Sequence, residues 1–399
     1  MTAPADHRQD LDWLRIGATL LLFPFHVAKT FDVLPIYHIK NAELSPGLDY
    51  FTAFVHQWHM PLFFVLAGWS ACASIRRRGA AGFRQERVRR LFVPFLLGSL
   101  LLCPFLKYAE LASGMSITAS GAAPLARPFE ESFLEFLPTF YTRMDRFTWS
   151  HLWFLLYLFS FSLLYAPVFV RLLARPDAFA RASAARLYLP LVPLVLIQTT
   201  LRFVWPGVQN LFNDWANFTY YSLFFILGFV LARQPAWEDV IAREWKRAGA
   251  IGLSAAALML FGWWRRGGII LPPALTPAVV LSLLPLQVLS GIAGYCTIVG
   301  LLGFARRYLT STGPAQRYLV EASLPIYILH QLGIVLPGYF LVQLDADIAV
   351  KFTLILAVAV TSTLAIYHVA VRRTPALRMM FGMRPRRLAG AETWSPRTA

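Results

Sequence analysis

Leu11-Asp-Trp-Leu-Arg-Ile-Gly-Ala-Thr-Leu-Leu-Leu-Phe-Pro-Phe-His-Val27 is the stretch on which the fold turns. It is too apolar for a soluble helix, and it carries an arginine and a histidine that are costly in hydrocarbon unless they face a protected polar space. From Arg15 to His26 is eleven residue steps, roughly 20° past three full helical turns, which places both side chains on one face about 16 Å apart. A guanidinium and an imidazole on one intramembrane face suggest an anion anchor and a base along a single path. Asp12 is the alternative partner for Arg15, and a packing role bonded to a backbone carbonyl is the alternative for His26.

Outward from this segment the pattern repeats. The chain has 399 residues, 57% hydrophobic and 15% charged, and apolar runs of membrane-spanning length recur along its extent. The reading is an all-α, polytopic integral membrane protein of about ten transmembrane helices, near 11–31, 51–74, 90–107, 150–173, 187–204, 217–233, 248–264, 278–303, 320–342 and 348–371. No ten-residue strand rhythm supports an outer-membrane barrel. The net charge of +16 falls in alternate loops, heaviest at Arg76 to Arg90 and after residue 371. That asymmetry puts both termini in the cytoplasm and makes the charge a topology signal, with no nucleic-acid partner implied. Cys72, Cys103 and Cys296 lack paired spacing, so neither a disulfide framework nor a zinc site is expected. Asp10 and Asp12 precede the first apolar run, and there is no basic leader, so the first helix reads as a retained span.

The chain reads as one membrane domain, 1–373, followed by a basic cytoplasmic tail, 374–399, whose composition predicts disorder. No inverted repeat is visible. The external loop at about 108–149 is long enough to imply a role as a lid or acceptor-binding element.

Further polar residues lie in or beside the apolar runs. His56 and His59 are spaced i,i+3 as two metal ligands can be, but no third ligand has suitable spacing, so no metal is expected. His59 remains a candidate cavity residue. Arg87 and Arg90 sit one turn apart at the cytoplasmic face, where they can grip a phosphate. His151 opens one helix. Tyr327 and His330 share another with Pro325, which should break a backbone hydrogen bond there and line a cavity. Glu321 lies two turns towards the cytoplasm from Tyr327. Structural packing is the competing reading for each.

Taken in order, these segments resemble the type-3 membrane acyltransferase family. The resemblance rests on Leu11-Asp-Trp-Leu-Arg15 with His26, Met60-Pro-Leu-Phe-Phe with Gly68, and Arg87-Val-Arg-Arg90-Leu with Pro94. His151-Leu-Trp-Phe-Leu, Phe224-Phe-Ile-Leu-Gly228 and Leu324-Pro-Ile-Tyr-Ile-Leu-His330 complete it. Ala67-Gly68-Trp69 departs from the usual Ser-Gly-Phe. Within the family the opening is most similar to the branch linked to succinylation of periplasmic glucans. The resemblance implies a multi-pass protein of the inner or plasma membrane that moves an acetyl or succinyl group from cytoplasmic acyl-CoA to a hydroxyl of an extracytoplasmic glycan or lipid-linked acceptor. In that reading no cofactor is resident, acyl-CoA is the donor substrate, and Arg87 and Arg90 hold its phosphates with Arg15 deeper. His26 acts as base, and Tyr327 or His330 stabilises the oxyanion. The alternatives from the residues themselves are a secondary transporter exporting an anionic glycoconjugate, or a structural membrane subunit.

Overall fold

In the computed structural model, which describes residues 8–118, 121–175, 181–205, 207, 209–269 and 274–384, the protein is built almost wholly of helices. In chain order these are α1 (Gln9–Phe31), α2 (Pro46–Arg87), α3 (Val93–Leu101), α4 (Cys103–Ala112), α5 (Phe133–Thr142), α6 (Trp153–Leu173) and α7 (Ala184–Tyr188). There follow α8 (Leu191–Val204), α9 (Trp215–Arg233), α10 (Pro235–Arg265), α11 (Pro277–Tyr308), α12 (Pro314–Leu341), α13 (Ile348–Ile366) and α14 (Pro375–Met380). A two-stranded antiparallel hairpin, β1 (Met115–Thr118) and β2 (Gly121–Pro124), pairs Met115 with Pro124.

Among the described residues, eight helical runs are long and apolar enough to cross a membrane. This is an all-α, multi-pass membrane protein. Two of the expected spans, 51–74 and 90–107, lie in one 67-residue run, Pro46–Ala112. At 1.5 Å per residue that run would be about 100 Å long if straight, against a hydrocarbon core of about 30 Å. It is not straight: Gly79 has φ 68° and ψ 178°, a left-handed conformation that side-chain-bearing residues avoid, and the helix bends there. The expected span at 248–264 falls within α10, whose first half carries Glu238, Asp239, Arg243, Glu244, Lys246 and Arg247 and is not apolar enough to qualify.

α1 packs against α2, α11, α12 and α13. Its first turn carries Asp10 and Asp12 and its last turn Lys29, the charge order that complements the helix dipole. At the far end Asp32 is fully buried and receives Lys29 Nζ at 2.5 Å and Lys40 Nζ at 2.7 Å. α2 crosses α9 with backbones almost touching: a Cβ on Gly68 would stand 2.0 Å from Phe225 O, and one on Gly228 2.0 Å from Val65 O.

Three expectations need correcting. The segment 108–149, read as a loop, contains the hairpin and α5, with Phe136 and Phe140 fully buried and Arg146 forking onto both oxygens of Glu131 at 2.5 and 2.6 Å. Pro325 has no N–H, so the helical bond to Glu321 O is unmade as expected, but α12 continues through it and the expected irregular backbone is not formed. The expected tail from 374 begins as a packed element: α14 sends Arg378 to Glu321 at 2.9 Å, and Phe381 is buried. Residues 385–399 lie outside the described residues.

Candidate active site

Where α1 meets α12, the ring of His330 stands with Nε2 3.3 Å from His26 Nδ1. The hydrogen positions follow from the partners. His330 Nδ1 is 2.6 Å from the carbonyl oxygen of Tyr327, which can only accept, so Nδ1 carries the proton. In the neutral ring Nε2 is then an acceptor, and His26 Nδ1 must donate to it. The same N–H also faces Leu22 O at 3.0 Å, which agrees with that assignment. The lone pair of His26 is thereby left on Nε2, and its ring is only partly buried, whereas His330 is fully enclosed. This is the arrangement of a base held in one tautomer by a second group.

His151 joins the same cluster. Its ring centroid is 5.1 Å from that of His330, and Nε2–H donates to Ile328 O at 3.0 Å. Its other nitrogen, Nδ1, is buried with no hydrogen-bond partner. Tyr327 donates its hydroxyl to the backbone carbonyl of His151, so it ties the start of α6 to α12 and does not aim at an oxyanion in this arrangement. His59 lies beyond Phe25, with its Nε2–H on Ala18 O at 2.7 Å, so it braces α1 against α2. His56, one turn away, is exposed, and the pair does not converge. Glu321 is not brought to the histidines: it holds Arg378 and, at 3.4 Å, Arg372 Nε. Nine residues of helix separate it from His330, roughly 13 Å.

At the other end of α1 the arginines gather. Arg15 Nη1 contacts Asp12 Oδ1 at 2.9 Å, and Nη2 reaches Ser70 Oγ at 3.4 Å. Glu86 binds Arg78 and faces Arg90 Nη1 at 3.6 Å. Arg90 Nε also donates to Gly382 O at 3.1 Å. The guanidinium of Arg87 lies over the Phe83 ring, 4.7 Å from its centroid, and its buried Nε has no hydrogen-bond partner. Arg15, Arg87 and Arg90 are close enough to repel one another electrostatically. Positive charge is thus in excess over Asp12 and Glu86 at this spot, and Arg87 keeps an unused donor, two properties of an anion site.

The sequence profile of a family described as an acyltransferase domain matches residues 8–368. The chain belongs to this acyltransferase family. Glucans biosynthesis protein C of Escherichia coli O139:H28 (strain E24377A / ETEC) is 25% identical over 402 residues, covering 96% of this chain and 96% of that protein. The protein of the same name from strain K12 matches with the same identity and coverage. No solved structure matches the chain.

Two of the acyltransferase motif positions acquire a physical meaning here. Gly68 and Gly228 are the two sides of the α2–α9 crossing, and neither can carry a side chain without pushing the helices apart. Trp69, the departure from the usual motif, lies under the Arg8 guanidinium at 4.9 Å, at the arginine-rich end and away from the histidines. The sequence reading missed His38, Glu110 and Ser150. His38 sits in the irregular segment 32–45, where no periodicity marks it. The one available signal was Lys107 with Glu110, an i,i+3 charge pair ending an apolar run.

Proposed function

We propose that this membrane acyltransferase transfers an acyl group, acetyl or succinyl, from cytoplasmic acyl-CoA to a hydroxyl of an extracytoplasmic glycan or glycolipid. The reading places the protein in the inner or plasma membrane with both termini cytoplasmic and about ten crossings. The observation that carries it is the bonded His26–His330 pair, which leaves His26 Nε2 free as a base on the helix that also bears Arg15.

Arg87 and Arg90 take the phosphates of CoA, and Arg15 is the deeper anion contact. The pantetheine arm follows the polar face of α1 towards His26. His26 Nε2 accepts the proton of the acceptor hydroxyl while that oxygen attacks the thioester carbonyl. The carbon–sulfur bond then breaks, and the departing thiolate receives the proton from His26. His330 acts through His26, fixing its tautomer and ring angle. The printed name of the E. coli relatives, which concerns glucans, favours a glucan as acceptor.

The test compares purified full-length wild type with His26→Ala and Arg15→Ala in detergent. Free thiol released from acetyl-CoA and succinyl-CoA is followed with envelope glycan or lipid as acceptor. Release by wild type and its loss in His26→Ala, with the variant still folded, is the expected result. General-base removal should cost on the order of 10²–10⁴ in rate. A wild type that neither releases thiol nor binds CoA overturns the reading in favour of glycoconjugate export.

A further inference from the structure

On the side of the histidine cluster away from the arginines, three residues from separate parts of the chain meet. Ser150 Oγ is 2.8 Å from His38 Nε2, and His38 Nδ1 is 2.7 Å from Glu110 Oε2. Glu110 is buried and held as a carboxylate: its Oε1 receives Lys107 Nζ at 2.5 Å and the Ile117 backbone N–H at 2.6 Å. A carboxylate can only accept, so His38 Nδ1 carries the proton and Nε2 accepts from the Ser150 hydroxyl. Hydroxyl, imidazole and carboxylate therefore stand in the order, spacing and tautomer that turn a serine into a nucleophile.

Two more observations point the same way. Ser150 has φ 44°, a left-handed conformation uncommon for a residue with a side chain, and such outliers gather at functional sites. The triad also adjoins the His26 cluster on two paths. Ser150 precedes His151, which touches His330. Tyr37 precedes His38, and its ring stacks on His26 with centroids 6.1 Å apart. Ser150 is only partly buried, so a substrate can reach it.

We propose that Ser150 is a covalent relay for the acyl group, activated by His38, with Glu110 as the positioning residue. The proposal deepens the acyl-CoA reading and rests on it for the donor. In the first step His38 Nε2 takes the hydroxyl proton, Ser150 Oγ attacks the thioester carbonyl, and the carbon–sulfur bond breaks. CoA leaves as the thiol with that proton, and an acyl ester on Ser150 remains. In the second step the acceptor hydroxyl gives its proton to His26 Nε2 and attacks the ester. Ser150 Oγ then departs and takes that proton. His26 thus keeps its role as base to the acceptor, while His38 is the base to Ser150.

The experiment uses full-length protein in detergent with radiolabelled acetyl-CoA or succinyl-CoA, acid-quenched without acceptor. A fluorophosphonate probe, which reacts with activated serines whatever the donor, is run in parallel. The expected result is a base-labile acyl adduct mapped by mass spectrometry to Ser150, with fluorophosphonate labelling at the same residue. Both vanish in Ser150→Ala and His38→Gln. Ser150→Cys, which keeps a nucleophile, retains the adduct as a hydroxylamine-labile thioester and shows that loss in Ser150→Ala is not misfolding. Glu110→Gln lowers kcat by ~10²-fold or more while leaving KM for acyl-CoA unchanged, a split that a merely structural carboxylate would not give. Transfer to acceptor by Ser150→Ala at the wild-type rate overturns the relay and leaves the His26 reading standing. A wild type that the probe does not label overturns it as well. A wild type that the probe labels but that releases no thiol strikes the donor assignment alone.

Discussion

Gly228→Ala tests the α2–α9 crossing directly. The added methyl would lie 2.0 Å from Val65 O, 2.8 Å from its carbonyl carbon and 2.9 Å from its Cα, all backbone atoms that cannot rotate away. An ordinary close carbon–oxygen contact is about 3.3 Å, so the helices must part by roughly 1.3 Å. Overpacking of this kind costs about 1–3 kcal/mol, and a rigid obstacle puts the cost near 3 kcal/mol, against a helix-propensity gain of at most about 1 kcal/mol. Gly68→Ala meets Phe225 O at 2.0 Å from the other side and should behave alike. One separation of the helices relieves both clashes, so the double variant should lose less than the sum of the two. Thermal unfolding in detergent is the assay, with Gly17→Ala as the control. Nothing lies within 4 Å of a Cβ there, and that variant should be neutral or slightly stabilised. A Gly228→Ala protein as stable as wild type, or single losses that simply add, would refute the reasoning.

Three further outcomes follow from contacts already described. Removing either Arg87 or Arg90 as alanine should raise KM for acyl-CoA by roughly 10–100-fold with a smaller effect on kcat, the cost of about 1.5–3 kcal/mol for a hydrogen bond to a charged group, measured by steady-state kinetics. Asp32→Asn strips Lys29 and Lys40 of their common buried anion and should destabilise by about 3–5 kcal/mol in denaturant unfolding; a loss under 1 kcal/mol would mean the two ammonium groups find other partners. In the segment 108–149, hydrogen bonding to Arg146 holds the Glu131 carboxyl below the ordinary glutamate range. A depressed value means the stabilisation is complete above the unfolded-state pKa and fades as pH falls through the folded one. Proteolytic nicking between 125 and 149 should therefore rise in acid, and Glu131→Gln should show that sensitivity already at neutral pH.

The first helix was legible because its evidence is local. Arg15 and His26 share a face by arithmetic on one helix, and hydrophobicity alone exposes the apolar runs. His330 and His151 could be picked out as polar residues in apolar surroundings, yet nothing in the sequence says that they meet His26, because that depends on α12 lying beside α1. Glu321 was grouped with them by proximity in sequence, but it lies nine helical residues from His330 and is held by Arg372 and Arg378. The triad was invisible for a stronger reason: His38, Glu110 and Ser150 come from an irregular segment, a helix terminus and a turn, where no periodic pattern operates. The packing of 374–384 was not legible because composition reports the average of a tail and not the particular contacts that hold its start: Arg378 to Glu321, Arg90 to Gly382 O and the buried Phe381.

The His26–His330 contact also has a bearing on how the protein is made. The two residues are 304 positions apart. At about 5–20 residues per second, the ribosome needs roughly 15–60 s to travel from one to the other. Throughout that interval His26 Nδ1–H has only Leu22 O of its own helix as partner, and the contact with His330 Nε2 forms when α12 arrives beside α1. A chain cut short anywhere before α12 therefore lacks the His26–His330 pair on which the proposed function rests.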